Sequence, residues 1–400
     1  MTTTTSWGVV IGLSLLLPQT PVTTPQTGPP VPTTAQAPAA PAPPAAAPSP
    51  AFGPAWRQKV EVAGTVGMVV TDTTLVTTDS DAGVTARALG DGHVLWAAPL
   101  PSRLPPLAAG TFVVVASGGR LVALDLASGQ PKWTVNDAGD PTSLLWHNAL
   151  VMTASGTTVR AWGADGKETW RQEADSRIAA PIAAEAELVF AGLEGQKLVA
   201  FDAKTGALRW AQSLETVPKT LLAFQGRVYF TGQDGDFYAY LQRPQLQWDW
   251  RYSNRLPPAV GAPVTDDRRL YVAFLDNTVR AFDVKIGNER WHQPIGARPA
   301  AGPFLVGEHA CVLTTPGNLV MLRRRDGAFA LPAKPAAPPA PPPDTAAAPG
   351  AKPAIISRQT LLTYAVGPDG TIVVTVVVGD DGSRTLVAWR YSTETAPVAK

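Results

Sequence analysis

The side chains able to do chemistry are few in this chain, and their spacing argues against catalysis. Cys311 is its single cysteine, which excludes an intramolecular disulfide and any cysteine-clustered zinc centre. His93, His147, His292 and His309 stand singly and far apart, without metal-ligand spacing. Asp79-Ser80-Asp81-Ala82-Gly83 and Gln233-Asp234-Gly235-Asp236 begin like calcium loops. Neither continues with the spaced acidic ligands and late glutamate of such a loop, and both suit tight turns. No glycine-rich phosphate loop, nucleophile elbow or His-Glu pair occurs. Cys311 lies in the apolar run HACVLTT and reads as a buried, inert thiol. No catalytic, cofactor or metal residues are expected.

One pattern of charge remains. An arginine follows a tryptophan by seven positions in Trp96 to Arg103, Trp170 to Arg177, Trp248 to Arg255 and Trp291 to Arg298. Asp140 holds that place after Trp133, and Lys219 lies near it after Trp210. If the tryptophans mark equivalent points of a repeat, these side chains gather on one face as an incomplete basic ring. Guanidinium groups so placed suit an anionic ligand or an acidic segment of a partner. The alternative is that each pairs with an acidic or carbonyl group of the neighbouring repeat. The net charge is only +1, so nothing draws the whole molecule to nucleic acid. Arg323-Arg324-Arg325 is read as a solvated corner.

The elements that must position these residues recur every 37 to 43 residues. Residues 123–133 (ALDLASGQPKW), 200–210 (AFDAKTGALRW) and 281–291 (AFDVKIGNERW) share Ala-x-Asp-x-x-x-Gly-x-x-x-Trp. Partial copies end at Trp96, Trp170 and Trp248, and a copy near Leu331 carries leucine in place of tryptophan. Two β-rich runs precede each copy; before Trp210 they are 179–183 and 187–193. Hairpin turns are signalled at Gly118-Gly119, Asp234-Gly235, Asp276-Asn277, residues 316–318 and residues 381–382. Each unit is therefore a four-stranded meander, A to D, with the tryptophan on D.

Within the motif the aspartate can accept N–H bonds from residues two on, and the glycine supplies the positive φ of the C–D turn. The flat indole suits wedging against the next blade, with its N–H on a backbone carbonyl. Residues 55–60, around Trp56, look like a D strand without A, B and C. Residues 360–366, 371–379 and 384–391 look like A, B and C without D. Joining them removes two open sheet edges. The expected fold is all-β, an eight-bladed β-propeller closed by its N-terminal strand, with seven blades as the alternative. Trp56, Trp96, Trp133, Trp170, Trp210, Trp248 and Trp291 are its docking residues.

The motif resembles the quinoprotein-like (PQQ-like repeat) family, whose propellers include pyrroloquinoline quinone dehydrogenases and the BamB-type outer-membrane assembly factor. The resemblance spans residues 55–391. A dehydrogenase of this family would need a quinone pocket, a Ca²⁺ held by carboxylate and amide oxygens, and often an adjacent-cysteine disulfide, which one cysteine cannot form. The resemblance therefore implies a non-catalytic, monomeric scaffold binding one or more envelope proteins, without cofactor. A quinone-dependent dehydrogenase or other ligand-binding propeller is the alternative.

The flanks point to export. Residues 1–56 carry no charged side chain, and the apolar run 7–17 suits the core of a signal peptide assigned to 1–17. The N-terminal stretch lacks a basic residue, and no small-x-small site follows closely. Residues 18–54 and 332–353 are Pro/Ala-rich, one a spacer and the other a loop inserted in the propeller, and 392–400 form a tail. A periplasmic or otherwise exported location, with no membrane span in the mature chain, is expected.

Overall fold

Short β-rich runs separated by turn residues cannot each bury an apolar face alone, and here they do so by stacking sheet on sheet. The computed structural model describes residues 51–60, 66–242, 246–253, 256–315, 319–330, 364–378 and 383–392. The proposed signal, most of the spacer, the inserted loop and the tail lie outside them. Among the described residues there is no helix, and so none long and apolar enough to cross a membrane.

The strands form eight antiparallel sheets, an eight-bladed propeller. Blades 1 to 6 are four-stranded meanders over residues 66–98, 107–135, 143–173, 183–213, 222–252 and 259–294. Blade 7 spans 299–323, with three described strands and a single bridge from Leu322 to Phe329 that starts a fourth. Blade 8 combines Tyr364–Val366, Ile372–Val378 and Arg384–Ser392 with Ala51–Val60, which pairs antiparallel to Arg384–Ser392. The first strands of most successive blades approach one another, and blade 8 meets blade 1, which puts the A strands at the centre. The hydrophobic clusters lie between blades. One joins Met152 and Val159 of blade 3 to Val189 and Phe201 of blade 4, all nearly solvent-free.

The turns follow local chemistry. Gly118 and Gly119 form a two-residue hairpin at φ +57° and +76°, and in the later turns expected at Asp234-Gly235 and Asp276-Asn277 the second residue takes φ +85° and +65°. The turns expected at 316–318 and 381–382 lie outside the described residues. Two boundaries differ from expectation. The closing strand begins at Ala51, inside the segment read as spacer. Pro54 is accommodated because the strand is outermost and its register shifts between Pro54 and Trp56. The first strand of blade 4 is Ala183–Glu185 rather than 179–183, because Pro181 lacks the N–H that would continue the ladder. Only the bridge from Ile178 to Leu193 is made ahead of it.

A common joint holds adjacent blades. Trp56, Trp96, Trp133, Trp170, Trp210, Trp250 and Trp291 each pair across strands with an alanine: Ala388, Ala86, Ala123, Ala161, Ala200, Ala239 and Ala281. All seven alanines are fully buried. Beside each tryptophan the register shifts by one residue, a β-bulge that re-aims the side chain. The indole N–H then crosses to the next blade: Trp96 to Leu126 O at 2.9 Å, Trp133 to Ala164 O at 2.8 Å and Trp170 to Ala203 O at 3.0 Å. In the turn receiving it, Asp202 accepts Lys204 N–H and Thr205 N–H, and Gly206, at φ +73°, brings its Cα against the Trp170 ring. A Cβ there would stand 2.7 Å from the indole.

Blade 5 corrects one expectation. Its docking residue is Trp250, which pairs with Ala239, donates to Val284 O at 3.3 Å and faces Gly287. Trp248 pairs with Tyr240 instead. In this blade, which has neither the aspartate nor the glycine of the motif, the alanine and its tryptophan, Ala239 and Trp250, stand one position farther apart in sequence than Ala200 and Trp210 do.

Candidate functional site

Antiparallel order sends the A–B and C–D turns to one face of each blade and the B–C turns and D–A connections to the other. Residues shortly after each docking tryptophan therefore emerge beside the B–C turns. Backbone bonds fix the phase. Arg177 O accepts Glu194 N–H at 2.8 Å, Val217 O accepts Gln233 N–H at 2.9 Å, and Arg298 O accepts Thr315 N–H at 2.8 Å and its hydroxyl at 3.0 Å. Asp140 O accepts the Ser155 hydroxyl at 2.8 Å.

The expected ring is thereby reduced. Arg103, Arg177 and Arg298 follow their docking tryptophans in equal phase. Lys219 does not, since Val217 holds that place after Trp210 and Lys219 N–H goes to Thr231 O. The relation of Arg255 to Trp248 fails because Trp250 is the docked residue, and Pro258 O accepts the B–C turn bond from Leu275 N–H. Arg255 itself lies outside the described residues.

Most cations elsewhere are paired: Arg227 with Asp249 at 2.6 Å, Arg280 with Glu289 at 2.9 Å, Arg324 with Glu308 at 3.1 Å. On this face Arg177 reaches Glu194 only at 4.0 Å, with both side chains more than half exposed, a geometry of little energetic weight. Among the described residues Arg103, Lys219 and Arg298 make no ion pair. Arg103 lines a cleft of about 250 Å³ together with Asp140, Ser80 and the Gly118–Gly119 turn.

The other candidates take structural roles. Asp79 accepts Asp81 N–H and Ala82 N–H, and Asp234 accepts Asp236 N–H, so both calcium-like runs are capped turns. No group of three His, Cys, Asp or Glu side chains able to hold a metal occurs among the described residues. Cys311 is fully buried, and burial pushes its thiol up. Arg323 and Arg325 are exposed and share Asp326, at 3.1 and 3.6 Å, but Arg324 departs from the expected solvated corner: its side chain is largely buried and pairs with Asp266 and Glu308. The sequence reading missed Trp250; its signal was Ala239, the one alanine of blade 5's third strand.

Comparison with known proteins agrees with this architecture. A family model described as outer membrane protein assembly factor BamB matches residues 53–159, 155–260 and 249–340. The outer membrane protein assembly factor BamB of Bordetella pertussis is 25% identical over 281 residues, 62% of this chain and 69% of that protein. The crystal structure of BamB from Moraxella catarrhalis superposes with a TM-score of 0.58 at 18% identity, covering 67% of this chain and 85% of that one. A quinohemoprotein alcohol dehydrogenase from Pseudomonas putida HK5 has a TM-score of 0.58 at 13% identity, covering 87% of this chain and 78% of its own, a likeness of fold alone. With its repeats matched from residue 53 to 340 and its blades joined by docked tryptophans, the chain belongs to the family of outer membrane protein assembly factor BamB, a PQQ-like repeat propeller.

Proposed function

We propose that this chain is a non-catalytic scaffold of the cell envelope, exported to the periplasm, that holds partner proteins during assembly of outer membrane proteins. The observation that carries the reading is the family match across the propeller, reinforced by the unpaired or loosely paired cations of the D–A face. That face presents Arg177, Lys219 and Arg298 on short connections anchored to a rigid ring, which suits capture of an acidic segment. The quinone-dependent alternative is supported only by fold likeness, and no residue set favours it.

The test places a photo-crosslinking residue at Arg177 or Arg298 in the cells that make the protein. The reading predicts adducts with a protein of outer membrane assembly and, on deletion of the gene, reduced outer membrane protein levels. Unchanged levels together with absent adducts would overturn it. Replacing Arg177, Lys219 and Arg298 with alanine should weaken capture most at low salt, because the contacts are exposed and screened.

A further inference from the structure

In the cleft between blades 1 and 2 an acid and a base share one space without closing on each other. Arg103 lies on the connection from blade 1 to blade 2 and Asp140 on the connection from blade 2 to blade 3, and both line the same cleft of about 250 Å³. Neither side chain has a hydrogen bond or ion pair with a described residue, whereas close acid–base contacts recur elsewhere on the surface. Asp140 is nonetheless held in place. Its N–H donates to the Ser155 hydroxyl at 3.2 Å, and its carbonyl accepts from that hydroxyl at 2.8 Å.

The hairpin at the cleft wall adds donors. Ser117 pairs with Arg120, and Gly119 O accepts Ala138 N–H at 2.9 Å, but the N–H groups of Gly118 and Gly119 go to no described acceptor. A Cβ on Gly118 would meet nothing within 4 Å, so the turn is open on that side. The cleft thus has an anion-binding half, a guanidinium with two turn amides, and a cation-binding half, a carboxylate. A simple anion or a simple cation would leave one charge unmatched, so the site favours a ligand bearing both. The cleft, of about 250 Å³, has room for a small molecule carrying both charges.

We propose that this cleft binds an α-amino acid zwitterion, its carboxylate on Arg103 and the Gly118–Gly119 amides and its ammonium on Asp140. The cleft lies on the same D–A face as Arg177, Lys219 and Arg298 but is lined by none of them, and the proposal does not depend on the scaffold reading.

The experiment titrates L-alanine and L-glutamine into the isotope-labelled full chain and follows the Gly118 and Gly119 amide resonances. Saturable shifts are expected, weakened about tenfold or more by Arg103→Gln and by Asp140→Asn, and likewise when N-acetyl-L-alanine or L-alaninamide replaces alanine. Both variants lie at exposed positions, and thermal melts matching the parent protein would show that their fold is kept. Absence of saturable shifts with either amino acid would overturn the proposal, as would binding unchanged in both variants. Binding of O-phosphoethanolamine in place of alanine would overturn it in favour of a lipid-type headgroup.

Discussion

Trp56 stands directly opposite Ala388 across the seam of the ring, joining the first described strand to the last. Its indole N–H continues to Leu89 O of blade 1 at 2.7 Å, so one side chain fastens blade 8 both to itself and to its neighbour. Trp56→Ala should cost about 3–5 kcal/mol in chemical denaturation. Deleting residues 51–60 should abolish the single cooperative transition, since Arg384–Ser392 would lose its outer partner strand and become an open edge. A chain starting at Pro48 should melt like the full chain. Undiminished stability of the 51–60 deletion would refute closure by this strand.

The docking assignment in blade 5 separates two nearby tryptophans. Trp250→Ala should lower stability by about 3–5 kcal/mol, while the same change at Trp248 leaves the bond to Val284 in place and should cost less. Equal losses measured in urea would count against the assignment.

Glycine positions offer a finer test. Gly287, at φ +70°, would place a Cβ 2.3 Å from the Trp250 ring, whereas Gly118, at φ +57°, would place one in open space. Both alanine variants bear backbone strain, but only the first adds overpacking. Gly287→Ala should therefore be less stable than Gly118→Ala by about 1–3 kcal/mol.

Acid titration should expose the C–D turn of blade 4. Arg209 beside Asp202, with the Thr205 N–H and hydroxyl and the Lys204 N–H, holds its carboxyl down at about 2. A depressed carboxylate contributes its stability above the unfolded-state value of about 4 and loses it as pH falls toward 2. In Asp202→Asn the stability curve between those limits should flatten, read from denaturation midpoints at stepped pH.

His309 acts at a higher pH. Burial, with Arg324 and Arg323 nearby, holds the imidazole below its ordinary range against the opposing pull of Glu308, and its Nδ1 has no described partner. The neutral form is the one the fold accepts, so stability present above the unfolded value of about 6.5 falls as pH drops through and below it. His309→Gln should lose less stability than the parent between about pH 7 and pH 5.

The repeat was legible because its signals are local: an aspartate and a glycine a fixed distance ahead of Trp133, Trp210 or Trp291 act within one turn. What escaped depends on cross-strand register. The bulge beside each tryptophan and the displacement of docking from Trp248 to Trp250 arise from pairing with residues on another strand. The phase of Arg103 and Asp140 was visible as well, but as a ring and its interruption. That adjacent connections bring the two into one cleft is a matter of packing, which spacing alone does not carry.

Among the described residues, the indole bonds of the docking tryptophans Trp56, Trp96, Trp133, Trp170, Trp250 and Trp291 all point the same way around the molecule, from one blade to the next in chain order, with Trp56 returning from blade 8 to blade 1. Such contacts are head-to-tail, like those of a cyclic oligomer whose subunits happen to be covalently strung together. A circle of directional contacts has no chemically privileged beginning. Linking the present termini and reopening the chain at the connection between blades 3 and 4, residues 174–182, should give a circularly permuted protein that reaches the same fold, with Trp170 serving as the clasp in place of Trp56.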